Sequence, residues 1–302
     1  MNLTNLTKSV LVASALTFSS FGANASAMSD VSIDVTNLTL DFFAPDGVTP
    51  LTIHTDPLVP LAPNEVVLSG VSIDLTGTNA DATLDGTTVG QSYTDPTDPF
   101  SPLAINLNAN LTSGTSSANA NSTVNGNFLL GGADGSTSAD INVEGNSTGE
   151  ANSQIVNILE SAFIFTSSVD AKVQISFDWI WDLYLAITDE GGTANAQWGL
   201  TVDLTQGTGF GSQLFSFDIK PETFNASTID ANSIGQVIDE DDSGSVLSNM
   251  ITISENTSYV LRIAQHSNVA ATSTATVPEP ASIAILSLGL LGFAGAARRR
   301  NS

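Results

Sequence analysis

Val31-Ser32-Ile33-Asp34-Val35-Thr36 alternates apolar and polar side chains, and Val71-Ser72-Ile73-Asp74-Leu75-Thr76 repeats the pattern almost letter for letter. A period of two puts one set of side chains on each face of an extended chain. Each stretch therefore reads as a half-buried β-strand, and Leu38, Leu40 and Phe42 carry the pattern on past Asn37. The near-repeat reads either as a duplication or as two unrelated amphipathic strands, since any such strand gives a similar string.

Working outward, the same alternation marks Ala104 to Leu111, Val124 to Leu130, Ser138 to Val143, Ser161 to Thr166 and Ala171 to Ile187. Gln197 to Leu204, Gln213 to Lys220, Met250 to Ser254 and Ser258 to His266 follow. Val, Ile, Thr and Phe fill these segments, and Gly, Asn, Asp or Pro separate them. Two stretches read as loops: Ala44 to Glu65, with five prolines, and Thr78 to Pro102, with Gly86, Gly90, Pro96, Pro99 and Pro102. Between Thr112 and Asn152 the chain is rich in Ser, Ala, Asn and Gly. It reads as small-residue strands facing a neighbouring sheet, with a disordered tract as the other reading. The one helix candidate, Ser153 to Glu160, serves equally well as a strand. Many strands with turn signals between them predict a mostly β fold, an antiparallel β-sandwich or jelly-roll-like body of one large or two small domains over residues 28–276.

Composition narrows what such a body does. The chain has 302 residues, 41% of them hydrophobic and only 13% charged, with a net charge of -24. The polar surface must then be built largely from Ser, Thr, Asn and Gly, which suits an extracellular β-protein. Of the seven Lys and Arg, only Lys172, Lys220 and Arg262 fall within the body. Nucleic acid is excluded as a partner, because neutralising phosphates takes clustered basic residues. An acidic surface attracts divalent cations instead. The absence of cysteine removes disulfides, thiolate metal sites and cysteine nucleophiles.

The two ends carry addressing information. Lys8 precedes an apolar run from Val10 to Phe18, and Ala25-Ser26-Ala27 is a small-x-small cleavage site. Residues 1–27 thus read as a secretory signal, with the mature chain starting near Met28. A buried N-terminal helix is the other reading, although nothing after Ala27 continues its pattern. At the other end, Val277-Pro278-Glu279-Pro280 precedes an uncharged stretch, Ala281 to Ala297, and then Arg298, Arg299 and Arg300. That stretch spans roughly 25 Å as a helix, the short end for crossing a membrane. The arginines are expected to stay cytoplasmic and stop transfer. Pro278 and Pro280 keep the helix from running back into the body.

This tail, residues 277–302, resembles the PEP-CTERM sorting signal of Gram-negative bacteria: the Pro-Glu-Pro of residues 278–280, the apolar helix, and the arginine cluster, in that order. The resemblance implies recognition by an exosortase, an integral membrane protease or transpeptidase. It also implies processing near Pro278–Pro280, a transient stay in the inner membrane through helix 281–297, and delivery to the cell surface or beyond. It further implies a setting of exopolysaccharide and biofilm. A permanent anchor that nothing cuts is the plain alternative.

Candidate binding residues lie in two places. Around Phe177 to Leu185, read as a strand, Ile175, Phe177, Trp179, Trp181, Leu183 and Leu185 share one face, while Ser176, Asp178, Asp182 and Tyr184 share the other. The apolar face reads as core or as an indole platform for sugar. On the polar face Asp178, Asp182 and Tyr184 are the expected carbohydrate contacts. The densest acidic run is Asp239-Glu240-Asp241-Asp242-Ser243-Gly244. Its spacing opens like a calcium loop, yet the twelfth position is Met250 where such a loop needs Glu. Asp239, Asp241 and Asp242 are left as a candidate calcium site on a loop, against a solvated acidic turn. Asp95, Asp98, Asp189 and Glu190 are weaker candidates of the same kind.

Neither histidine, His54 or His266, belongs to a catalytic motif, and no nucleophile elbow, zinc motif or phosphate loop is present. The expectation is a non-enzymatic surface or matrix protein associated with exopolysaccharide. A calcium-assisted carbohydrate-binding module is the alternative. A polysaccharide-cleaving enzyme, which needs only two well-spaced carboxylates, is the third.

Overall fold

The computed structural model describes residues 26–54, 62, 64–75, 77–94, 101–127, 129, 131–155, 163–188, 192–207, 211–219 and 235–274. Residues 1–25, most of the Ser153 to Glu160 segment, Asp95, Asp98, Asp189, Glu190 and the whole tail from residue 275 lie outside the described residues. Every regular element among the described residues is a strand: β1 Ser26–Phe43, β2 Thr52–His54, β3 Glu65–Ile73, β4 Asn79–Leu84, β5 Thr87–Ser92, β6 Leu103–Ser113, β7 Ser116–Asn127 and β8 Gly132–Glu144. There follow β9 Thr148–Ile155, β10 Phe163–Ser167, β11 Ala171–Ile187, β12 Thr193–Gln206, β13 Ser212–Ile219, β14 Val237–Leu247, β15 Ile251–Ile253 and β16 Ser258–Thr272.

These strands form two sheets. The first has the order β14-β11-β1-β8-β7-β6, with β15 extending the β11 edge. In the second, β16 is the spine. It pairs along its whole length with β12, which carries β13, and on its other side with β10 at one end and β9 at the other. From β9 the sheet continues to β4 and β5, and from β10 to β3 and β2. All pairings are antiparallel except β2 with β3. Val71 to Ile73 of the near-repeat belong to β3, whereas the alternating segments Val31 to Thr36 and Leu38 to Phe42 fuse into the single strand β1. Asn37, at φ 56, marks the bulge between them, where the pairing register shifts by one step on both sides.

The sheets stack face to face, and their shared interior falls into two apolar clusters. One holds large side chains: Phe165 stacks on Tyr259 (5.5 Å, 26°) and meets Phe42 edge to face (5.6 Å, 78°), among Leu40, Leu68, Ile175 and Leu204. The other is built on alanines: Ala27, Ala80, Ala82, Ala118, Ala120, Ala139, Ala151 and Ala271, with Leu183, Leu185 and Trp198. Between them runs a belt of buried polar groups. On β7, Ser122 Oγ donates to Asn79 O (2.5 Å), shares a hydrogen bond with Ser153 Oγ of β9 (2.8 Å) and accepts from the Gln154 amide (3.2 Å). On β8, Thr137 shares a hydrogen bond with Ser267 of β16 (2.9 Å), and Gln265 Nε2 donates to Ile33 O of β1 (2.6 Å). Each of these bonds crosses from one sheet to the other.

Small side chains explain the closeness. Cα atoms of β7 and β9, and of β4 and β7, come within 8 Å of each other, against about 10 Å for ordinary stacked sheets. The Ser/Ala/Asn-rich tract from Thr112 to Asn152 therefore forms ordered strands β7, β8 and the start of β9. Gly149 is needed in this stack, because a Cβ there would fall 2.3 Å from Ile141 Cδ1.

Three local expectations are corrected. The Thr78 to Pro102 stretch is not all loop: β4 and β5 form a hairpin joined by Asp85-Gly86, at φ 48 and 79, the paired positive angles of a two-residue turn. The Ala44 to Glu65 stretch contains β2. The acidic run is a strand, β14, because Val237, Ile238, Val246 and Leu247 frame it with strand-forming residues and β11 supplies a partner. Within the Ser153 to Glu160 segment, Ser153 to Ile155 end strand β9.

The ends of the described chain meet. Ser26 pairs with Glu144 and Thr272 with Thr148, on either side of the short β8–β9 turn. A Cβ placed on Gly192 would lie 3.6 Å from the Ala27 methyl and 3.5 Å from Thr272 O.

Candidate functional site

The outward face of the first sheet is a lattice of polar side chains. Alternation sends the even-numbered residues of β6, β8 and β1 and the odd-numbered residues of β7 in the matching direction, and the registers align them in rows. One row reads Asn110, Asn119, Asp140, Asp30, Tyr184, Asp239 from β6 to β14. The next reads Asn108, Asn121, Ser138, Ser32, Asp182, Asp241, and a third Asn106, Thr123, Ser136, Asp34, Ile180, Ser243. Within a row neighbours sit about 4.8 Å apart, and rows about 6.7 Å apart, by strand geometry. The first row is partly tied together. Asn110 Nδ2 donates to Asn119 Oδ1, and Asn119 Nδ2 donates to both oxygens of Asp140 (2.5 and 3.0 Å).

Asp30 is the most perturbed group on this face. Its side chain reaches solvent, yet the strands on both sides crowd it. That desolvation pushes its carboxyl up to about 6, and the nearby Asp140 and Asp182 carboxylates push the same way. Asp30 and Asp140 are direct cross-strand partners, a like-charge pairing that costs stability.

The predicted carbohydrate residues sit on this face. Asp178 is held: Ser245 Oγ donates to Oδ1 (2.5 Å) and Asn37 Nδ2 to Oδ2 (3.3 Å). Asp182 and Tyr184 lie in adjacent rows of the lattice. The tryptophans point the other way. Trp181 stacks on Trp198 at 4.5 Å and 29°, and Trp179 tilts against Phe217 at 6.3 Å. The inner face of β11 is thus core, with Ile175, Phe177, Leu183 and Leu185 buried. Ile180, 48% exposed, is the one large apolar side chain of β11 on the polar lattice.

The candidate calcium residues do not converge. As a strand, β14 sends Asp239 and Asp241 to the lattice face, opposite Tyr184 and Asp182, and Asp242 to the other, opposite Trp181. Asp242 Oδ1 instead accepts from the Ser243 amide (2.8 Å). Gly244, the residue that completed the loop-like pattern, has a packing role: it lies opposite Trp179, whose ring would sit 2.8 Å from a Cβ there. Among the described residues no three His, Asp or Glu side chains are arranged to hold a metal ion.

The histidines sit apart. His54 Nε2 lies 3.1 Å from Glu65 Oε1 across the β2–β3 pair, and His266 lies within β16, opposite Gly199. The Glu65 carboxyl is held below its ordinary range, chiefly by the Ala62 amide and further by His54.

Reading the sequence picked out Asp178, Asp182 and Tyr184 but not Asp30, Asp140, Asn119 or Asn110. The signal for the latter was present as alternation of amides and carboxylates, in Asn106-x-Asn108-x-Asn110, Asn119-x-Asn121 and Asp30-x-Ser32-x-Asp34.

The predicted transmembrane helix, 281–297, lies outside the described residues, among which no helix is long and apolar enough to cross a membrane. Comparison with curated proteins and with solved structures finds no significant match to this chain. A family model does match its C-terminal segment. Residues 276–300 are a PEP-CTERM protein-sorting motif, the signal that implies export, processing by an exosortase and sorting to the cell surface.

Proposed function

We propose that the mature protein is a non-enzymatic structural component of the cell surface or extracellular matrix, working in contact with exopolysaccharide in biofilms. The sorting motif at residues 276–300 carries the destination. Removal of the tail near Pro278–Pro280 then frees the body from its transient hold at the inner membrane. The body is an acidic β-sandwich scaffold, and the outward lattice of Asn, Asp, Ser and Thr on its first sheet supports contact with a hydroxyl-rich polymer. Amides and carboxylates in repeating rows hydrogen-bond hydroxyls without demanding one sugar sequence. Tyr184 and Ile180 add apolar surface for a pyranose face.

The test is retention of the secreted protein on the host's own exopolysaccharide, with calcium and with a chelator. Retention in both conditions, reduced at least tenfold by Asn119→Ala with Asp182→Ala and Tyr184→Ala, supports the lattice reading. Retention that the chelator abolishes replaces it with a calcium-assisted carbohydrate-binding module. No retention in either condition removes the polysaccharide contact and leaves a sorted surface protein. Release of reducing ends from the polymer by the purified protein would return the enzymatic reading.

A further inference from the structure

We propose that the leader is removed after Ala25, so that the mature chain begins at Ser26. The inference rests on reading the N-terminus as an export signal and adds where that signal is cut. Two overlapping small-x-small sites stand here, Ala23-Asn24-Ala25 and Ala25-Ser26-Ala27, and both satisfy the requirement for small side chains flanking one free position. The motif alone does not choose between them.

The fold does. Ser26 and Ala27 are the first two residues of β1 and are paired on both sides of the strand. Ala27 is fully buried, opposite Val143 on β8 and Ile187 on β11, and belongs to the alanine-based cluster. Ser26 is fastened to the end of β11: its amide donates to Thr188 Oγ1 (3.2 Å), its hydroxyl shares a hydrogen bond with the same oxygen (2.9 Å), and its carbonyl accepts from the Thr188 amide (3.1 Å). A cut after Ala27 would discard a buried core methyl, open the base of the stack beside Gly192, and set a charged amine between two strands at Met28. A cut after Ala25 discards none of this. It leaves the new ammonium group on Ser26, at the rim, with Thr188 Oγ1 already placed to accept from it and Glu144 opposite.

The experiment expresses the full chain in its native host or another secreting Gram-negative host. The exported protein is collected, its amino terminus is labelled, and the first peptide is read by mass spectrometry. The expected terminus is Ser-Ala-Met-Ser-Asp. A dominant terminus at Met28 overturns the inference while leaving export by a cleaved leader intact. An exported protein that still begins at Met1 overturns the export-signal reading itself. Ala23→Leu provides a second arm, because it blocks the first site and leaves the second open. The expected result is a terminus shifted to Met28 or a retained leader, and a Met28-start protein with a lower melting temperature than the Ser26-start form. A variant still cut after Ala25 overturns the reading of Ala23-Asn24-Ala25 as the recognised site, and equal melting of the two forms overturns the stabilising role given to Ser26 and Ala27.

Discussion

The buried polar belt makes a quantitative prediction through Ser122 and Ser153. Ser122 Oγ lies within hydrogen-bond reach of Asn79 O, Ser153 Oγ and the Gln154 amide across the sheet interface, and Ser153 Oγ also within reach of Asn121 O (2.5 Å), so the two hydroxyl protons are shared among Asn79 O, Asn121 O and the bond between the hydroxyls. Ser122→Ala removes the acceptor for a buried amide and one donor to a carbonyl, at a cost of about 1–2 kcal/mol. In a body of this size that lowers Tm by roughly 3–6 °C. Ser153→Ala costs a similar amount through Asn121 O and Ser122. The two losses are not independent, because each single variant strands the hydroxyl the other would have shared. The double variant replaces both by methyls of nearly the same shape and is expected to cost about 1 kcal/mol less than the sum. Urea unfolding of the secreted protein, with both singles and the double, measures the cycle. Ser122→Val is a control in the opposite sense, since the added methyl must fit where β7 and β9 lie within 8 Å. It should cost more than Ser122→Ala. Additivity within about 0.3 kcal/mol, or neutral single variants, would refute the claim that these hydroxyls stitch the sheets together.

Other consequences are equally open to measurement. Asp30 has a raised carboxyl pKa, so its ionisation opposes folding: stability should rise as pH falls from about 7 through about 6. Asp30→Asn should raise Tm at pH 7, by the equivalent of at most about 1 kcal/mol given its solvent access, and flatten the rise. A Tm unchanged by that substitution would rule the strain out. Asp46, whose carboxyl is held low by the Thr49 and Val48 amides, acts in the reverse sense, so stability should fall again below about pH 4. Gly244→Val should destabilise the β11–β14 pair by about 1–3 kcal/mol by driving a side chain into the Trp179 ring, and Trp179→Ala in the same chain should relieve part of that loss. In the native host, mass spectrometry of the surface protein should find no peptide reaching Arg298; recovery of such peptides would show that the tail is kept.

The strands that sequence alone revealed are those with one wet face and one dry face. β11 was legible from Ala171 to Ile187 because Val173, Ile175, Phe177, Leu183 and Leu185 point into the core and polar residues point out. The small-residue strands β7 and β8 were legible for the same reason, with Ala and Ser in the dry positions. What escaped was structure whose cause is not local. β14 is exposed along most of its length, so it carries no alternation, and its charges look like a loop until β11 is seen beside it. Its acidic side chains suit an edge that should not recruit further strands. β4 was hidden because Ala80 and Ala82 are weak strand signals, although Asp85-Gly86 announced the turn. The polar lattice is a property of six strands in register, so no single stretch of sequence contains it.

The meeting of the chain ends at the β8–β9 turn sets how the protein is presented. Ser26 and Thr272 sit side by side at one end of the body. A body held through its C-terminal segment is therefore held by that end, like a post at its foot. The 18 residues of β1 measure the height of that post, roughly 55–60 Å at strand rise. The top is the end where Phe43 meets Pro50, and the lattice lies along the shaft, facing sideways. Two copies that met on that face would bring carboxylates such as Asp30, Asp140 and Asp182 together and would repel one another.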